Sequence, residues 1–215
     1  MKHTVIISSY NRPKMIRQAI KSVLSNGDCE IFVCDDGSTE DVKSAVSEFK
    51  VEWINFGDVE CDKLFRFPIG INMALERCTG DIIHYLPDDD MFVPDRFQTA
   101  EKAIKDGKTV CYGKLLYMRL DDSGWFGVEK IRYPTAVISP ESPHPVTGLL
   151  DHSQVFHRNT IDTRWKAMGD APDAKFFNEV SLKHRFHPIN QYVTIKRLHK
   201  FNMLKINESK GGVKE

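Results

Sequence analysis

Short apolar runs alternate with helix-spaced segments through the first 107 residues, and that alternation constrains the fold more than any single motif. Residues 4–8 (TVIIS) form a β-branched run. From Pro13 the apolar positions Met15, Ile16, Ala19, Ile20, Val23 and Leu24 fall at helical spacing, with Asn11 as the expected cap and Gly27 after the end. Residues 30–34 (EIFVC) predict a second strand. A turn at Asp35-Asp36-Gly37-Ser38-Thr39 then leads into a helix marked by Val42, Ala45, Val46 and Phe49. Residues 51–56, 69–77 and 81–86 read as strand, helix and strand, and Pro94 opens another helix after Asp88-Asp89-Asp90. Strand and helix in strict alternation predict a mainly parallel sheet covered by helices.

Beyond Thr109 the pattern changes. A strand through Met118, a turn at residues 121–124 and an aromatic return strand at 125–133 predict a hairpin. Residues 134–145 are proline-rich and read as a loop. Residues 153–157 and 192–198 read as extended, 173–182 as helical, and 211–215 as a frayed tail. No internal repeat or linker divides the chain. The expectation is one domain over 1–215, with two halves of different pattern, 1–107 and 108–210.

In an open parallel sheet the ligand lies beyond the carboxyl ends of the strands. Three polar clusters fall at such ends: Ser8-Ser9-Tyr10-Asn11, Asp35-Asp36-Gly37-Ser38 and Asp88-Asp89-Asp90. An isolated Asp-Asp-Gly-Ser turn reads as a helix cap. Three adjacent carboxylates repel one another unless solvated or neutralised by a cation, and their place at a strand end favours Mg²⁺ or Mn²⁺. Neither a P-loop nor a dinucleotide fingerprint is present. Thirty basic and thirty acidic residues give zero formal charge, which provides no gross electrostatic drive toward nucleic acid or membrane. The five cysteines contain no CxxC pair, so reduced thiols are expected. The start runs straight into a strand without signal-peptide shape, and no stretch is long and apolar enough to span a membrane. A cytoplasmic location is the expectation.

The successive stretches TVIISSYNRPKMIRQAIKSVLSN, IFVCDDGSTED, GDIIHYLPDDDMFVPDRF and VTIKRLHKFNMLKINES together resemble the motifs of the family 2 glycosyltransferases. The later stretches LLDHSQVFHRN and DAKFF are similar to that family's spore-coat polysaccharide synthesis branch. The resemblance implies a GT-A fold, Rossmann-like, with an acceptor-side hairpin and loops. It implies an inverting, metal-dependent transfer from a UDP- or TDP-linked sugar to an acceptor hydroxyl. The acceptor is open between a glycan, a lipid-linked glycan, a small molecule and a hydroxylated DNA base.

Carried over by position, the resemblance implies nucleobase contacts from Ser8, Tyr10 and Asp36, and a nucleotide contact from Arg66. Asp88 matches a ribose-contacting acid, although Pro87 stands where the family often writes the first acid of the motif. Asp89 matches the metal ligand under either alignment, with Asp90 and His199 as further metal candidates and Arg197 over the diphosphate. A surface imidazole is the alternative for His199. Asp173 matches the general base, with a helix-capping acid as its other reading and Asp170 as the rival base. Asp151 and His152 match an Asp-His pair near the donor sugar and acceptor, or form a buried hydrogen-bonded pair. Trp125, Phe126 and Tyr133 either pack the hairpin or line a sugar subsite, and the basic excess after Lys175 is either a solvated face or an anion-binding one. Two rival functions stand beside this reading: a nucleotidyltransferase, which needs a glycine- and basic-rich first loop, and a catalytically degenerate nucleotide-binding member.

Overall fold

A computed structural model describes residues 1–119, 126–129, 150–168 and 171–199. The first half comprises β1 (His3–Ser9), α1 (Pro13–Leu24), β2 (Glu30–Asp35), α2 (Val42–Val46), β3 (Glu52–Asn55), α3 (Phe67–Leu75), β4 (Ile82–Pro87), β5 (Met91–Phe92) and α4 (Arg96–Lys105). The second comprises β6 (Val110–Arg119), β7 (Phe126–Glu129), a 3₁₀ turn (His152–Gln154), β8 (Val155–Arg158), α5 (Pro172–Ser181) and β9 (Phe186–Leu198).

Among the described residues the strands form a nine-stranded sheet in the order β3-β2-β1-β4-β8-β6-β9-β5, with β7 paired to β6 outside that path. β1 to β4 are mutually parallel, as their unbroken apolar runs require. The other half is mixed: β8 runs antiparallel to β4 and β6, β9 parallel to β6, and β5 antiparallel to β9. The predicted hairpin pairs Tyr117 with Glu129 and Met118 with Val128. Its turn, the 134–145 loop, Trp125, Tyr133, Asp170 and the tail from 211 lie outside the described residues.

β1 shows why the central strands carry no polar alternation. Val5 and Ile7 pack against Ile16, Ala19, Ile20 and Val23 of α1 and Val42 and Val46 of α2. Ile6 joins Phe32, Tyr85, Phe176 and Phe177 in the cluster on the other side. Successive side chains of a strand point to opposite faces, and both faces are covered. Each buried aliphatic side chain contributes about 1.5–3 kcal/mol. β9 reaches the far side of the sheet across Gly113, where a Cβ would lie 2.3 Å from Cγ1 of Val193. The pairing of β6 with β9 shifts register on either side of Lys114 as a result of this close passage.

Two details depart from the sequence reading. Asn11 does not cap α1: Arg12 occupies that position without a side-chain cap, and Asn11 adopts φ +53°. The Asn11 Oδ1 instead accepts N–H bonds from Thr39 (2.7 Å) and Glu40 (3.0 Å), tying the loop after β1 to the loop after β2. The two-residue β5 was not anticipated, because its partners Thr194 and Ile195 lie a hundred residues away in β9.

At the start of α4 the fully buried Arg96 guanidinium joins three segments. Nη1 donates to the carbonyls of Ser153 (2.7 Å) and Val193 (3.0 Å) and to the Thr194 hydroxyl (2.7 Å). Nη2 donates to the Val155 carbonyl (3.2 Å) and Nε to Nδ1 of His84 (3.2 Å). The guanidinium also stacks 3.9 Å from the Phe92 ring centroid. Arg96 Nε can only donate, so His84 carries its proton on Nε2 and gives it to His3 Nδ1 at 3.0 Å. That leaves the His3 proton on Nε2, 3.4 Å from Glu101 Oε1. The chain holds only while both imidazoles are neutral.

Burial lowers the pKa of His3, against the pull of Glu101 and Asp81, and the N-terminal charge lowers it further. Burial lowers His84 well below the ordinary imidazole value, with Arg96, His3 and His157 adding to the shift. The unfolded chain therefore binds more protons than the folded one below about pH 6.5. Stability is complete above that pH and falls as pH drops toward the lowered folded values. Melting temperature measured by circular dichroism should fall between about pH 7 and pH 5. In His84→Gln, which keeps an acceptor for Arg96 and removes one titration, that fall should be shallower. An equal slope in the two proteins would dissociate the effect from this chain.

Candidate active site

The loops after β1, β2 and β4 converge, and main-chain hydrogen bonds fix their relation. The Asp36 N–H donates to the Ser9 carbonyl, and the Asp88 N–H to the Ser8 carbonyl, each at 3.0 Å. Tyr10, at the rim, is exposed. Gly37 adopts φ +67°, and its Cβ would meet Cα of Gly57 at 2.8 Å. This contact of two glycines presses the loop after β2 onto the loop after β3. Arg66 braces the same place: Nη2 donates to the carbonyls of Phe56 (3.2 Å), Gly57 (3.1 Å) and Val59 (2.7 Å), while Nη1 lies 3.0 Å from Asp36 Oδ1.

The Asp36–Arg66 pair is close without being well aligned. Asp36 Oδ1 and Arg66 Nε are both buried atoms without a hydrogen bond among the described residues, as is His152 Nε2. Buried polar atoms of this kind cost about 1–3 kcal/mol each and concentrate where structure serves function. Burial raises the Asp36 pKa, with Arg66 opposing and Asp35 adding to the rise.

The three aspartates after β4 diverge in role. Asp88 accepts from the Ser9 hydroxyl (3.1 Å), the Tyr10 N–H (3.0 Å) and Arg12 Nη1 (2.8 Å), so both its oxygens serve the loop after β1. Asp90 accepts the Arg197 N–H on Oδ1 (3.1 Å) and faces Lys196 Nζ with Oδ2 (3.5 Å). This arrangement differs from the expected metal-ligand role of Asp90, whose oxygens are engaged by β9. Asp89 turns Oδ2 toward His199 Nε2 at 3.2 Å, with Arg12 Nη2 3.6 Å from the same oxygen. Burial raises the pKa of Asp88 and Asp90. Burial pushes Asp89 up as well, but the His199 hydrogen bond and the charges of Arg12 and Lys196 outweigh it and leave Asp89 below the ordinary carboxylate value.

Arg197 also departs from its expected role over the diphosphate. Its side chain is buried and donates to the carbonyls of Asp88 (3.1 Å), Asp89, Asp90 (3.5 Å) and Met15 (3.2 Å), and to Gln18 Oε1. It holds the backbone of the acidic turn against α1. Lys196 and Arg12 completed the site unassigned by sequence reasoning. The signal available was the run Lys196-Arg197-Leu198-His199, three cationic or titratable groups on a strand with apolar neighbours.

Asp151 opens the 3₁₀ turn as a full capping box with Gln154. Its Oδ1 accepts from the Ser153 N–H (3.0 Å) and hydroxyl (2.7 Å), and its Oδ2 pairs with Lys196. Burial alone would raise Asp151, but Lys196, His152 and Ser153 hold it well below the ordinary carboxylate range. A carboxylate so engaged is a poor proton acceptor. The His152 ring stacks 5.2 Å from Phe67, the residue after Arg66, and meets Trp165 edge-on at 6.1 Å.

Asp173 sits at the second position of α5, one residue after Pro172, and is half-buried. It is not the cap, a position held by Ala171 at φ +38° with no side-chain cap. Its carboxylate accepts the Ala174 N–H at 2.9 Å. Burial raises its pKa and the Asp151 charge adds to the rise, with His152 and Lys196 opposing. A raised carboxylate pKa suits a general base. α5 is held in place by Phe176, stacked on Trp165 at 4.2 Å.

No group of three or more His, Cys, Asp or Glu residues converges into a metal cluster among the described residues. Asp89 with His199 offers a carboxylate oxygen and an imidazole nitrogen 3.2 Å apart. Two protein donors fit Mg²⁺ or Mn²⁺ where substrate phosphates and water supply the rest, with imidazole favouring Mn²⁺. No helix among the described residues is long and apolar enough to cross a membrane.

The parallel first half and the mixed second half of the sheet together form a GT-A fold. The family model described as Glycosyl transferase family 2 matches residues 4–165, and the chain belongs to that family. It is 26% identical over 170 residues to Protein CgeD of Bacillus subtilis (strain 168), covering 74% of this chain and 39% of that protein. It is 28% identical over 118 residues to the GalNAc(5)-diNAcBac-PP-undecaprenol beta-1,3-glucosyltransferase of Campylobacter jejuni, covering 54% of this chain and 38% of the relative. The crystal structure of S. aureus TarS 1-349 in complex with UDP superimposes with a TM-score of 0.71 at 16% identity, over 92% of this chain and 61% of that one. The TarS complex with UDP-GlcNAc gives 0.72 at 15% identity, over 95% and 61%. The chain thus spans less than two thirds of each of these proteins.

Gly37 joins a positive φ to a close contact between the loops after β2 and β3. Gly37→Ala should destabilise the fold by about 1–3 kcal/mol in urea titration, since φ is positive and Gly57 blocks the new methyl. Gly107→Ala, at φ +84° with nothing within 4 Å of the new Cβ, controls for the cost of left-handed φ alone. Equal losses in the two variants would show that the Gly37–Gly57 contact adds nothing.

Proposed function

We propose that this chain is an inverting glycosyltransferase domain that moves a sugar from a UDP- or TDP-linked donor to an acceptor hydroxyl. The observation that carries this reading is the approach of Asp89 Oδ2 to His199 Nε2 at 3.2 Å, at the end of β4, in a family 2 fold. Both flanking aspartates face protein donors, so the triplet presents one carboxylate–imidazole pair rather than a diffuse acidic surface.

In this reading Asp36 accepts from the N3–H shared by uracil and thymine, with Arg66 fixing its carboxylate and Ser8 and Tyr10 flanking the base. Asp88, engaged by Arg12, Ser9 and Tyr10, shapes the ribose side. Asp89 and His199 would hold Mn²⁺ or Mg²⁺, which when bound would supply Lewis-acid stabilisation to the departing diphosphate. Asp173 takes the proton of the acceptor hydroxyl as the new glycosidic bond forms on the face opposite the leaving group. Asp151 keeps the rest of the acceptor side in place. The UDP and UDP-GlcNAc complexes of TarS support a uridine nucleotide as the first donor to try.

Isothermal titration with UDP and Mn²⁺, followed by mass spectrometry of product formation from a panel of UDP and TDP sugars, tests the whole reading. Nucleotide binding without turnover of any sugar would identify a catalytically silent member instead. Asp89→Asn should abolish Mn²⁺-dependent UDP release while its circular dichroism spectrum stays unchanged. Full Mn²⁺-dependent activity in that variant would remove Asp89 from the metal site.

The base is tested by a pair of variants. Asp173→Asn keeps the shape and removes the basicity, so donor affinity should persist while transfer falls by about 10²–10⁴. Asp170→Asn should leave transfer near the wild-type rate. The reverse pattern would move the base to Asp170.

A further inference from the structure

Lys196 and Arg197 are consecutive on β9 and reach opposite sides of the strand, as strand geometry requires. Arg197 binds the backbone of the acidic turn and α1. Lys196 runs the other way, with its ammonium against Oδ2 of Asp90 at 3.5 Å and against Oδ2 of Asp151. Its side chain is only 11% exposed. Lys196 therefore links two turns that come from different halves of the chain, the acidic turn carrying Asp89 and the capping-box turn carrying His152.

We propose that Lys196 is a positioning residue that sets the donor-side turn and the acceptor-side turn at their working separation. This rests on the glycosyl-transfer reading above. Asp151 is the point of transmission, since its other oxygen fixes the 3₁₀ turn through Ser153, and that turn holds His152 against Phe67 beside Arg66. Asp90 transmits on the other side, because its Oδ1 accepts the Arg197 N–H next to the residue whose ammonium its Oδ2 faces. Without the ammonium, Asp90 and Asp151 face one another as buried carboxylates, and relief of their repulsion moves one turn from the other. In-line transfer is sensitive to such displacement, with about 10²-fold in rate at stake for roughly 1 Å.

The fold does not depend on this bridge. Deeper along the same two segments, Thr194 Oγ1 donates to the Ser153 carbonyl at 2.6 Å, and Arg96 donates to both residues. β9 and the capping-box turn are thus joined independently of Lys196, so a variant there is expected to fold.

The test is a double-mutant cycle on UDP release from UDP-glucose and UDP-GlcNAc with Mn²⁺, using Lys196→Met, Asp151→Asn and the double variant, with Lys196→Arg as the conservative control. Lys196→Met should lower kcat by about 10²-fold with little change in donor KM, because Arg66 is also fixed beside Asp36 by the carbonyls of Phe56, Gly57 and Val59, which Lys196 does not contact. Asp151→Asn in that background should recover about tenfold of the loss, since it removes the carboxylate left unpaired, and Lys196→Arg should retain most of the wild-type kcat. A folded Lys196→Met protein with wild-type kcat would overturn the proposal. So would losses that add in the double variant, which would mark Asp151 or Lys196 as acting on substrate directly. Wild-type protein that releases UDP from neither sugar would count against the donor reading, not the bridge. The same cycle read on melting temperature then decides the bridge, with additive losses overturning it and mutual relief supporting it.

Discussion

Three consecutive carboxylates buried at the end of a strand repel one another, and most of the site's architecture follows from how the chain accommodates them. Their cations come from both ends of the sequence. Arg12, just after β1, binds Asp88 and approaches Asp89, while Lys196 and the Arg197 N–H engage Asp90. Arg197 adds its guanidinium to the carbonyl oxygens of all three residues. The acidic turn is therefore formed only when β9 has been laid against it, which ties completion of the site to closure of the sheet. Charged pairs of this kind stabilise little in net terms, because desolvation offsets the attraction. Their effect is to define one geometry, since each carboxylate has a different partner.

That division of partners is also what separates the chemical roles of the three acids. Adjacent residues of a turn project in different directions, so a single cation could not serve all of them. Asp88 faces the N-terminal loop, Asp90 faces β9, and Asp89 faces His199. The alternation along β9 makes the second and third of these compatible. Lys196 lies on one side of the strand and Arg197 on the other, and His199 follows just past the strand's last residue, Leu198.

The parallel half of the fold was legible because each of its strands has its helix immediately after it in sequence. β1, β2 and β4 could be read from apolar runs such as 4–8, and their ends located the polar clusters. The places of Asp36 after β2 and Asp89 after β4 follow from that reading, whereas Arg66 came only from the resemblance. Roles set by distant partners were not legible. Asn11 is a residue type that caps helices, but the loop after β2 comes within reach and takes its side chain. The resemblance implies a diphosphate contact for Arg197, yet burial against α1 directs it to backbone carbonyls. Asp151 reads in sequence as half of an Asp-His pair. Only the arrival of Lys196, 45 residues later, shows its carboxylate to be engaged. β5 escaped notice for the same reason, being two residues long and defined by its pairing with β9.

The electrostatics of the finished site bear on the proposed donor. In the contacts described, the carboxylates of Asp88, Asp89, Asp90 and Asp151 stand against the fixed cations Arg12, Lys196 and Arg197. Arg197 is directed at carbonyl oxygens, so much of its charge is already shared with the backbone. A site of this balance does not by itself attract a diphosphate, which carries negative charge of its own. A dication held by Asp89 and His199 would reverse the local sign, and it would do so at the oxygen toward which Arg12 already leans. Donor binding and leaving-group stabilisation then draw on one charge, so in the proposed reaction the metal dependence of nucleotide affinity and that of turnover arise from the same pair of residues. Asp173 is coupled to this balance through Asp151 and Lys196. Its raised pKa comes first from burial at the start of α5 and then from Asp151, with His152 and Lys196 opposing, so that in the proposed reaction it keeps its affinity for a proton.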